Sequence, residues 1–364
     1  MRNREKKRKA YLEVMRVLAV ILVVYNHLPA YTLYMYSSGA KQIVTMLLAV
    51  ITRINVPIFL MISGALLLDR EEDFVQVCRR RITRIVVALV LTQSLLFLCR
   101  MAMAFFTHNP FNEGFLDLIR GILSGELEEA GSYWYLYAYM GMLAMLPFLQ
   151  RIANKMQKQD MCMLLLIHCF FCSFIPIVNV LLGVCGKEPL MISTDLSIPY
   201  AVEKAMFYPL IGYYIDHKVD IKKCSGKVWL KMAVGAFVGV LLSFLCTYYQ
   251  GRTMGEYTQS YIALFDYVLA IMVFALVKHL ILVRCTKLSE GKFADVATAI
   301  GRLTFGIYLL DPCIKVFLYR WFETSAETVL PTFIVSIIWC GISFLLGGII
   351  TFVLRKLPLL DRVL

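Results

Sequence analysis

Three ionisable side chains interrupt the first apolar run of the sequence, and they are the strongest candidates for chemistry. Glu13, Arg16 and His27 lie within LEVMRVLAVILVVYNHL. A charged or titratable group inside a run that is long enough to span a membrane is costly and by default marks a functional site. A neutral imidazole is suited to act as a general base, and a carboxylate three residues from an arginine can pair with it. The pattern therefore indicates proton transfer beside a cationic group.

The spacing of Arg16 and His27 places both side chains on one face of a helix. They are eleven residues apart, which corresponds to a rotation about 20° beyond three full helical turns. The two residues are then about 16 Å apart along the axis, too far for direct contact. The alternative is that Arg16 only reaches the inner membrane interface with its long side chain, and that His27 only caps the outer end of the span.

Further arginines lie in or at the ends of apolar runs. Arg53 falls inside ITRINVPIFLMISGALLL, where it needs a carboxylate partner or the interior of a bundle. Pro57 follows four residues later and predicts a kink that frees a backbone carbonyl. Arg81 and Arg84, in RRRITRI, are predicted to share a face at the inner end of the third span. Two guanidinium groups on one face suit a phosphate-bearing ligand. Contact with lipid headgroups is the alternative.

A second charged pair is predicted near the end of the chain, in GIYLLDPCIKVFLYRW. Asp311 and Lys315 are four residues apart, so they are predicted to form an ion pair on one helix face inside the membrane. Tyr308 lies one turn before Asp311, and Pro312 disturbs the backbone at this point. This pair is expected to stabilise the fold.

The composition identifies the elements that must position these groups. Of the 364 residues, 60% are hydrophobic and only 17% are charged, and the mean hydropathy is +0.70. Soluble domains carry about 25% charged residues, so a soluble enzyme, a disordered chain, collagen and a disulfide scaffold are excluded. Long unbroken apolar runs, rather than short alternating segments, favour helices over a β-barrel. The predicted fold class is therefore an all-α, polytopic bundle of transmembrane helices.

Ten spans are predicted along the chain. They are 12–30, 43–68, 84–106, 133–150, 161–182, 200–216, 228–249, 259–283, 303–321 and 329–354. The segments between them carry 26 basic residues on one side and five on the other, which predicts that both termini are cytoplasmic. The net charge of +12 is therefore interpreted as a topology signal, and no nucleic-acid partner is expected.

The whole chain, 1–364, is predicted to form a single membrane domain. Residues 1–10 form a basic cytoplasmic tail in this prediction, and 355–364 a short C-terminal one. The longest outer segment, 107–132, contains the amphipathic stretch GFLDLIRGILSGELEEAG. The 11 cysteines are scattered, mostly in apolar runs, and no Cys/His cluster has zinc spacing. No metal is expected.

Six stretches in the same order resemble the acyltransferase 3 family, a group of ten-helix bacterial membrane acyltransferases. They are Arg16 to His27, RINVPIFLMISGALLL (53–68), RRRITRI (79–85), SYWYLYAYMGMLAMLPFL (132–149), FYPLIGYYI (207–215) and TFGIYLLDP (304–312). The resemblance covers most of the chain. It departs from the family at one point, because members usually have His before the Pro of the last motif, where this chain has Asp311.

The resemblance implies roles for individual residues. His27 matches the family's catalytic histidine, and Arg16 the basic residue of the same signature. Arg81 and Arg84 match the pair that is implicated with the acyl donor, and Arg53 is assigned to the same group. A further set is assigned to the substrate: Glu13, Asn26, Trp134, Tyr308 and Asp311.

The resemblance also implies an activity and a location. Such a protein would sit in the plasma membrane and move an acyl group, usually acetyl, from cytoplasmic acyl-CoA to a hydroxyl. The acceptor would be an envelope or exported glycan. Acetyl-CoA would be the donor substrate, with no tightly bound cofactor, and a separate envelope protein could complete the transfer. The competing hypothesis is a transporter or flippase that uses the same buried charges as a substrate or proton path, with Asp311 and His27 as relays.

Overall fold

The computed structural model describes residues 9–27, 38–193, 200–255, 257, 259–322 and 329–364. It is 82% helical, and its described residues contain no strand. This confirms the predicted all-α membrane bundle. Most of the basic tail predicted at 1–10 lies outside the described residues.

The helices of the first half of the chain include several interrupted ones. They are α1 (Ala10–Asn26), α2 (Ala40–Thr52), α3 (Asn55–Leu67), α4 (Phe74–Phe106), α5 (Phe115–Ser124), α6 (Trp134–Ala144), α7 (Leu146–Lys155) and α8 (Lys158–Val184). Helix α4 contains a wider π turn at Cys78–Ile82, and a 3₁₀ turn, Ala130–Tyr133, precedes α6.

The second half of the chain is also formed of helices of different lengths. Its helices are α9 (Tyr200–Tyr213), α10 (Gly226–Met254), α11 (Gln259–Ile262), α12 (Asp266–Arg284), α13 (Lys292–Gly301), α14 (Thr304–Phe322), α15 (Val329–Leu354) and α16 (Pro358–Asp361). Helix α9 continues into a π turn at Tyr214–Lys218.

Six stretches of the described chain are long and apolar enough to cross a membrane. They are Ala40–Leu67, Phe74–Phe106, Lys158–Val184, Gly226–Thr253, Asp266–Arg284 and Phe333–Leu354. The pair α13 and α14, bent by 46°, makes a seventh if it counts as one span. Helix α1 has only 17 described residues, and α6 is separated from α7 at Met145. The number of ten spans and the cytoplasmic termini therefore stay predictions.

Helix α1 lies at the centre of the bundle, in contact with α2, α3, α12, α13, α14 and α15. Its apolar residues Met15, Ala19, Val20 and Val24 have no exposed surface. At its first turn, Lys9 and the Tyr11 hydroxyl both contact the buried carboxylate of Asp216. The start of α1 is thus fixed by polar contacts, and its apolar faces by packing.

The ends of the helices set the local positions of Arg53 and Arg81. Helix α2 ends at Thr52 and α3 begins at Asn55, so Arg53 lies in a two-residue break near the middle of the span Ala40–Leu67, at the mid-span position that was predicted. Pro57 has no N–H for the carbonyl of Arg53, four residues earlier, which explains the break and agrees with the predicted kink. The third span begins earlier than predicted, because α4 starts at Phe74 and not at residue 84. Arg81 therefore lies within α4.

Helices α3 and α9 cross closely through two glycines. A Cβ atom on Gly64 would lie 1.9 Å from the carbonyl oxygen of Pro209. A Cβ atom on Gly212 would lie 2.0 Å from the carbonyl oxygen of Met61. Each helix thus presents a glycine to the backbone of the other, the close approach that small residues permit in membrane bundles.

Alanine at either glycine is expected to destabilise the protein. Since backbone atoms cannot move aside as a side-chain tip can, Gly64→Ala and Gly212→Ala should each cost about 1–3 kcal/mol. Thermal unfolding in detergent should show a lower Tm for both. Gly141→Ala is the matched control, because nothing lies within 4 Å of a Cβ atom at that helical position. Equal Tm values for all three variants would contradict the crossing.

Candidate active site

The centre of the candidate site is a chain of two hydrogen bonds among His27, Asp311 and Ser343. The Nδ1 atom of His27 lies 2.6 Å from Oδ2 of Asp311. The Ser343 hydroxyl donates to Oδ1 of Asp311 at 2.6 Å. Asp311 is 1% exposed, whereas the side chain of His27 keeps 20% of its surface. The carboxylate therefore holds the imidazole by Nδ1 and leaves Nε2 as the proton acceptor.

The ion pair predicted between Asp311 and Lys315 is wrong. Lys315 Nζ lies 3.2 Å from Oε2 of Glu129, in the segment that leads to α6, and Asp311 turns to His27 instead. The two residues share a helix, and a spacing of four residues brings their side chains near one another. This spacing alone does not determine which partner each side chain binds. A buried carboxylate is stabilised by several donors that are fixed around it, and His27 and Ser343 supply these.

Asn26 is tied to the end of α2. Thr52 Oγ1 donates to Asn26 Oδ1 at 2.6 Å, and Asn26 Nδ2 lies 3.3 Å from the carbonyl oxygen of Thr52. These contacts join the last turn of α1 to the break that holds Arg53. They favour a role in holding α1 beside that break, whereas substrate binding by Asn26 stays a prediction.

Glu13 and Arg16 form the predicted pair near the start of α1. Arg16 Nη1 lies 3.2 Å from both carboxylate oxygens of Glu13. Glu13 is buried and lies against Gly301, where a Cβ atom would be 2.1 Å from its Oε2. Gly301 ends α13 at the bend before α14. The carboxylate is thus wedged into this bend, where it orients Arg16.

Arg81 and Arg84 do not bind a common partner. Arg81 donates Nε and Nη2 to the two carboxylate oxygens of Glu72, at 2.7 and 2.6 Å. Arg84 donates Nε to the carbonyl of Val363 at 3.0 Å and lies over the ring of Phe305. Of the guanidinium nitrogens of Arg84, only Nε donates a hydrogen bond to a described residue. The guanidinium edge of Arg84 is therefore the more available of the two.

The Glu72–Arg81 pair should make stability depend on acid pH. The hydrogen bonds from Arg81 lower the pKa of Glu72 below its usual value of 4.5. Because the folded-state pKa is depressed, the stabilising contribution is complete above the unfolded pKa and is lost as the pH falls through the folded one. Glu72→Gln should cost about 1 kcal/mol at neutral pH, and the difference from wild type should shrink below pH 4.5.

Thermal unfolding in detergent between neutral and acid pH measures this difference. Glu126→Gln removes an exposed carboxylate from the loop after α5 and is the control. A Glu72→Gln effect that is unchanged at acid pH would contradict the assignment to the ion pair.

An aromatic cluster lies between the arginines and the histidine. The ring of Tyr135 stacks on Tyr139 at 5.7 Å and meets Tyr308 edge-on at 6.1 Å. The ring of Phe59 lies 6.0 Å from it in a tilted orientation. Arg16 lies near enough to interact electrostatically with both Tyr135 and Arg84. Tyr308 in turn interacts with the charge of Asp311. The cluster thus joins the two ends of the Arg16–His27 face.

Trp134 lies at the edge of this arrangement. It is 48% exposed, and its ring touches Tyr135 edge-on. Its neighbour Tyr133 instead donates to the carbonyl of Leu309, at 2.7 Å, while Tyr308 donates to the carbonyl of Ser132 at the same distance. These reciprocal bonds fix the start of α6 on α14. Substrate binding by Trp134 stays a prediction.

The comparison with protein families decides what kind of protein this site belongs to. Residues 9–353 match the family model of an acyltransferase domain, Acyl_transf_3. The chain belongs to this family. It is therefore a membrane protein with several spans and a transferase that acts on acyl groups. No curated protein and no solved structure gives a significant match. The resemblance seen in the six sequence stretches is confirmed.

The site also contains residues that the sequence did not indicate. Ser343 is one serine in an apolar span and Glu72 one of several acidic residues between spans, and neither position carries a recognisable signal. Tyr135 and Tyr139 lie in the stretch that matched the family, but their part in the site follows only from packing. No group of three or more His, Cys, Asp or Glu side chains suitable for a metal occurs in the described part of the chain.

Proposed function

We propose that the protein transfers an acyl group, in the first instance acetyl, from acyl-CoA to a hydroxyl group of an extracytoplasmic acceptor. The observation that carries the proposal is the 2.6 Å contact between His27 Nδ1 and Asp311 Oδ2. A histidine whose one nitrogen is held by a buried carboxylate has its other nitrogen aimed and available for proton transfer. Family membership supports acyl transfer in general, and the donor and acceptor are part of the proposal.

The reaction follows from the position of His27. Its Nε2 takes the proton from the acceptor hydroxyl while the oxygen attacks the carbonyl carbon of the thioester. The new C–O bond forms, the C–S bond breaks, and the leaving sulfur takes the proton from the imidazolium. Asp311 keeps the hydrogen bond to Nδ1 throughout and stabilises the positive charge that develops on His27. Ser343 holds the carboxylate in place.

The donor would extend from the basic end of the bundle to His27. Arg84 supplies guanidinium donors for the phosphates, and Arg16 continues the positive charge along α1. Arg81 is already held by Glu72, so we assign it mainly to positioning this end of α4. The distance from Arg16 to His27, about 16 Å along a helix, is spanned by an extended pantetheine arm beside the Tyr135 cluster. Arg53 lies in the break between α2 and α3, directly after Thr52, whose hydroxyl donates a hydrogen bond to Asn26.

The acceptor and the cellular setting are proposed from the same arrangement. His27 lies at the end of α1 opposite to the basic N-terminal segment. Under the predicted topology, the base would face the outer side of the plasma membrane. A glycan of the envelope, or one that is being exported, carries suitable hydroxyls. A separate envelope protein could accept the group and complete the transfer.

The experiment follows labelled acetyl-CoA with the purified protein in proteoliposomes. Transfer or slow hydrolysis of the acetyl group is the expected result, whereas a carrier would move substrate and leave the thioester intact. Acetylation of surface glycans, compared in cells with and without the gene, then tests the acceptor. An intact thioester in every preparation of folded protein would overturn the proposal.

The donor site has its own expected result. Arg84→Gln should weaken acetyl-CoA binding by about 10- to 150-fold, because a charge-assisted hydrogen bond contributes about 1.5–3 kcal/mol. The loss should shrink as salt rises, since partly exposed charges are screened. Arg79→Gln removes the same charge from an exposed position of the same cluster. Equal weakening by both variants would show a general charge effect and would contradict a specific contact at Arg84.

A further inference from the structure

Helix α5, Phe115–Ser124, has three faces with different properties. Four large apolar side chains are exposed: Phe115 by 72%, Leu116 by 65%, Ile119 by 39% and Leu123 by 79%. At 100° per residue they cover a sector from about 0° to 100° around the helix axis. An apolar surface of this kind on a ten-residue helix requires an apolar neighbour.

The other two faces have distinct environments. Asp117 and Arg120 lie between about 140° and 200°, are 51% and 79% exposed, and face each other at 4.0 Å. The remaining sector, from about 240° to 340°, contains Leu118, Gly121 and Ile122, which pack on the bundle. One face of α5 thus packs on the protein, a second is charged and suits water, and the third is apolar and suits an apolar medium.

The bundle fixes this orientation. Gly121 lies against Leu127, where a Cβ atom would be 3.0 Å from the leucine side chain, and the Tyr137 hydroxyl donates to the carbonyl of Ile122. Before the helix, Arg100 donates two hydrogen bonds to Glu113, at 2.8 and 2.5 Å. Helix α5 therefore cannot rotate to bury its apolar sector against its own chain.

Helix α5 contacts α4, whose last turns also expose large apolar side chains. Arg100 belongs to α4, whose last turns expose Met101 by 44%, Phe105 by 77% and Phe106 by 73%. These residues end a span of the bundle at the opposite end from the Arg79–Arg84 cluster. Helix α5 begins at Phe115, after the eight residues 107–114, so its exposed apolar sector lies near the end of a helix that is long and apolar enough to cross a membrane.

We propose that α5 lies in the plane of the membrane, at the interface between lipid and water on the outer side of the bilayer that the bundle spans. Phe115, Leu116, Ile119 and Leu123 are then inserted among the lipid acyl chains. A short helix with one apolar and one charged face lies in this way, its apolar side chains shallowly buried below the headgroups. The bilayer lipid is the occupant, and the proposal does not depend on the reaction or its substrates.

This anchorage has a consequence for the candidate site. The segment after α5 binds α14 through Glu129 and Lys315, and through Ser132 and Tyr308. Tyr308 lies one turn before Asp311. The segment 125–133 therefore has one end attached to a helix that is anchored in lipid and the other end bound beside the His27–Asp311 pair. Through this segment, the bilayer supports the outer side of the site.

Tryptophan fluorescence in proteoliposomes tests the placement. Leu116→Trp and Leu123→Trp put a reporter on the apolar face, and Arg120→Trp puts one on the polar face. The emission added to that of the four native tryptophans is quenched by brominated lipids or by aqueous acrylamide. Phe237→Trp, on an exposed position of α10, is the control for a site within the bilayer. Size-exclusion chromatography verifies that each variant is folded.

The expected result separates the faces. Lipids that are brominated near the carboxyl end of the acyl chains should remove most of the emission added at 116 and 123. Lipids brominated near the methyl end should remove less of it, and the order should reverse at 237. Acrylamide should quench the reporter at 120. Acrylamide quenching at 116 and 123 without lipid quenching would place α5 in water or against a protein partner. Equal lipid quenching at all three α5 positions would exclude an in-plane helix. Either result would overturn the proposal.

Discussion

Replacing His27 by alanine should lower the rate of acyl transfer by about 10²–10⁴-fold, the usual cost of losing one general base. The folded protein should be recovered at normal levels, because His27 lies at the end of α1 and keeps part of its surface exposed. Acetyl-CoA binding should change little, since Arg84 on α4 and Arg16 near the start of α1, the arginines proposed to hold the donor, lie away from the end of α1 that carries His27. Single-turnover transfer of labelled acetyl groups, together with donor binding, measures both effects.

His108→Asn is the matched control for this variant. His108 is exposed after the last turn of α4 and has a backbone φ of 55°, a conformation that asparagine also tolerates. It should transfer acetyl groups at the wild-type rate. Near-normal transfer by His27→Ala would refute the role of His27 as the base, even if the protein proved to be an acyltransferase.

Replacing Asp311 by asparagine should lower acyl transfer by about 10²–10⁴-fold as well, because an amide does not hold the imidazole with Nδ1 protonated and Nε2 free. The variant keeps the shape of the side chain and can still meet Ser343, so donor binding should be retained. Asp311→Ala should in addition lower the Tm, since it leaves the Ser343 hydroxyl without its acceptor in a buried place. Rates and Tm values measured on the same preparations separate the two effects.

Three further variants sharpen the assignment of Asp311. Asp295→Asn, at an exposed position of α13, should leave the rate unchanged. Ser343→Ala should give a smaller loss than Asp311→Asn, because the serine acts only through the carboxylate. Asp311→His restores the residue that the family usually has there and should keep part of the activity. Full activity of Asp311→Asn would show that the contact with His27 is structural only.

The pattern of residues along the chain determined the class of the protein and one face of its site. The composition required a helical membrane bundle, because so few charges cannot cover a soluble surface. The eleven-residue spacing of Arg16 and His27 and the pairing of Glu13 with Arg16 are local properties of one helix, and 3.6 residues per turn suffices to predict them. The break near Arg53 was also predictable, because Pro57 removes a donor four residues further along.

Only the tertiary structure decided which partners the buried charges choose. His27 and Asp311 are 284 positions apart, and the neighbouring Lys315 was the obvious but wrong partner from local spacing. Ser343 reaches Asp311 because α15 packs on α14, and Glu72 reaches Arg81 because the segment before α4 folds back on it. Neither contact follows from local spacing. The reason is physical. Helical periodicity fixes which side chains share a face, but a buried carboxylate is satisfied by whichever donors the crossing of several helices brings within hydrogen-bond distance.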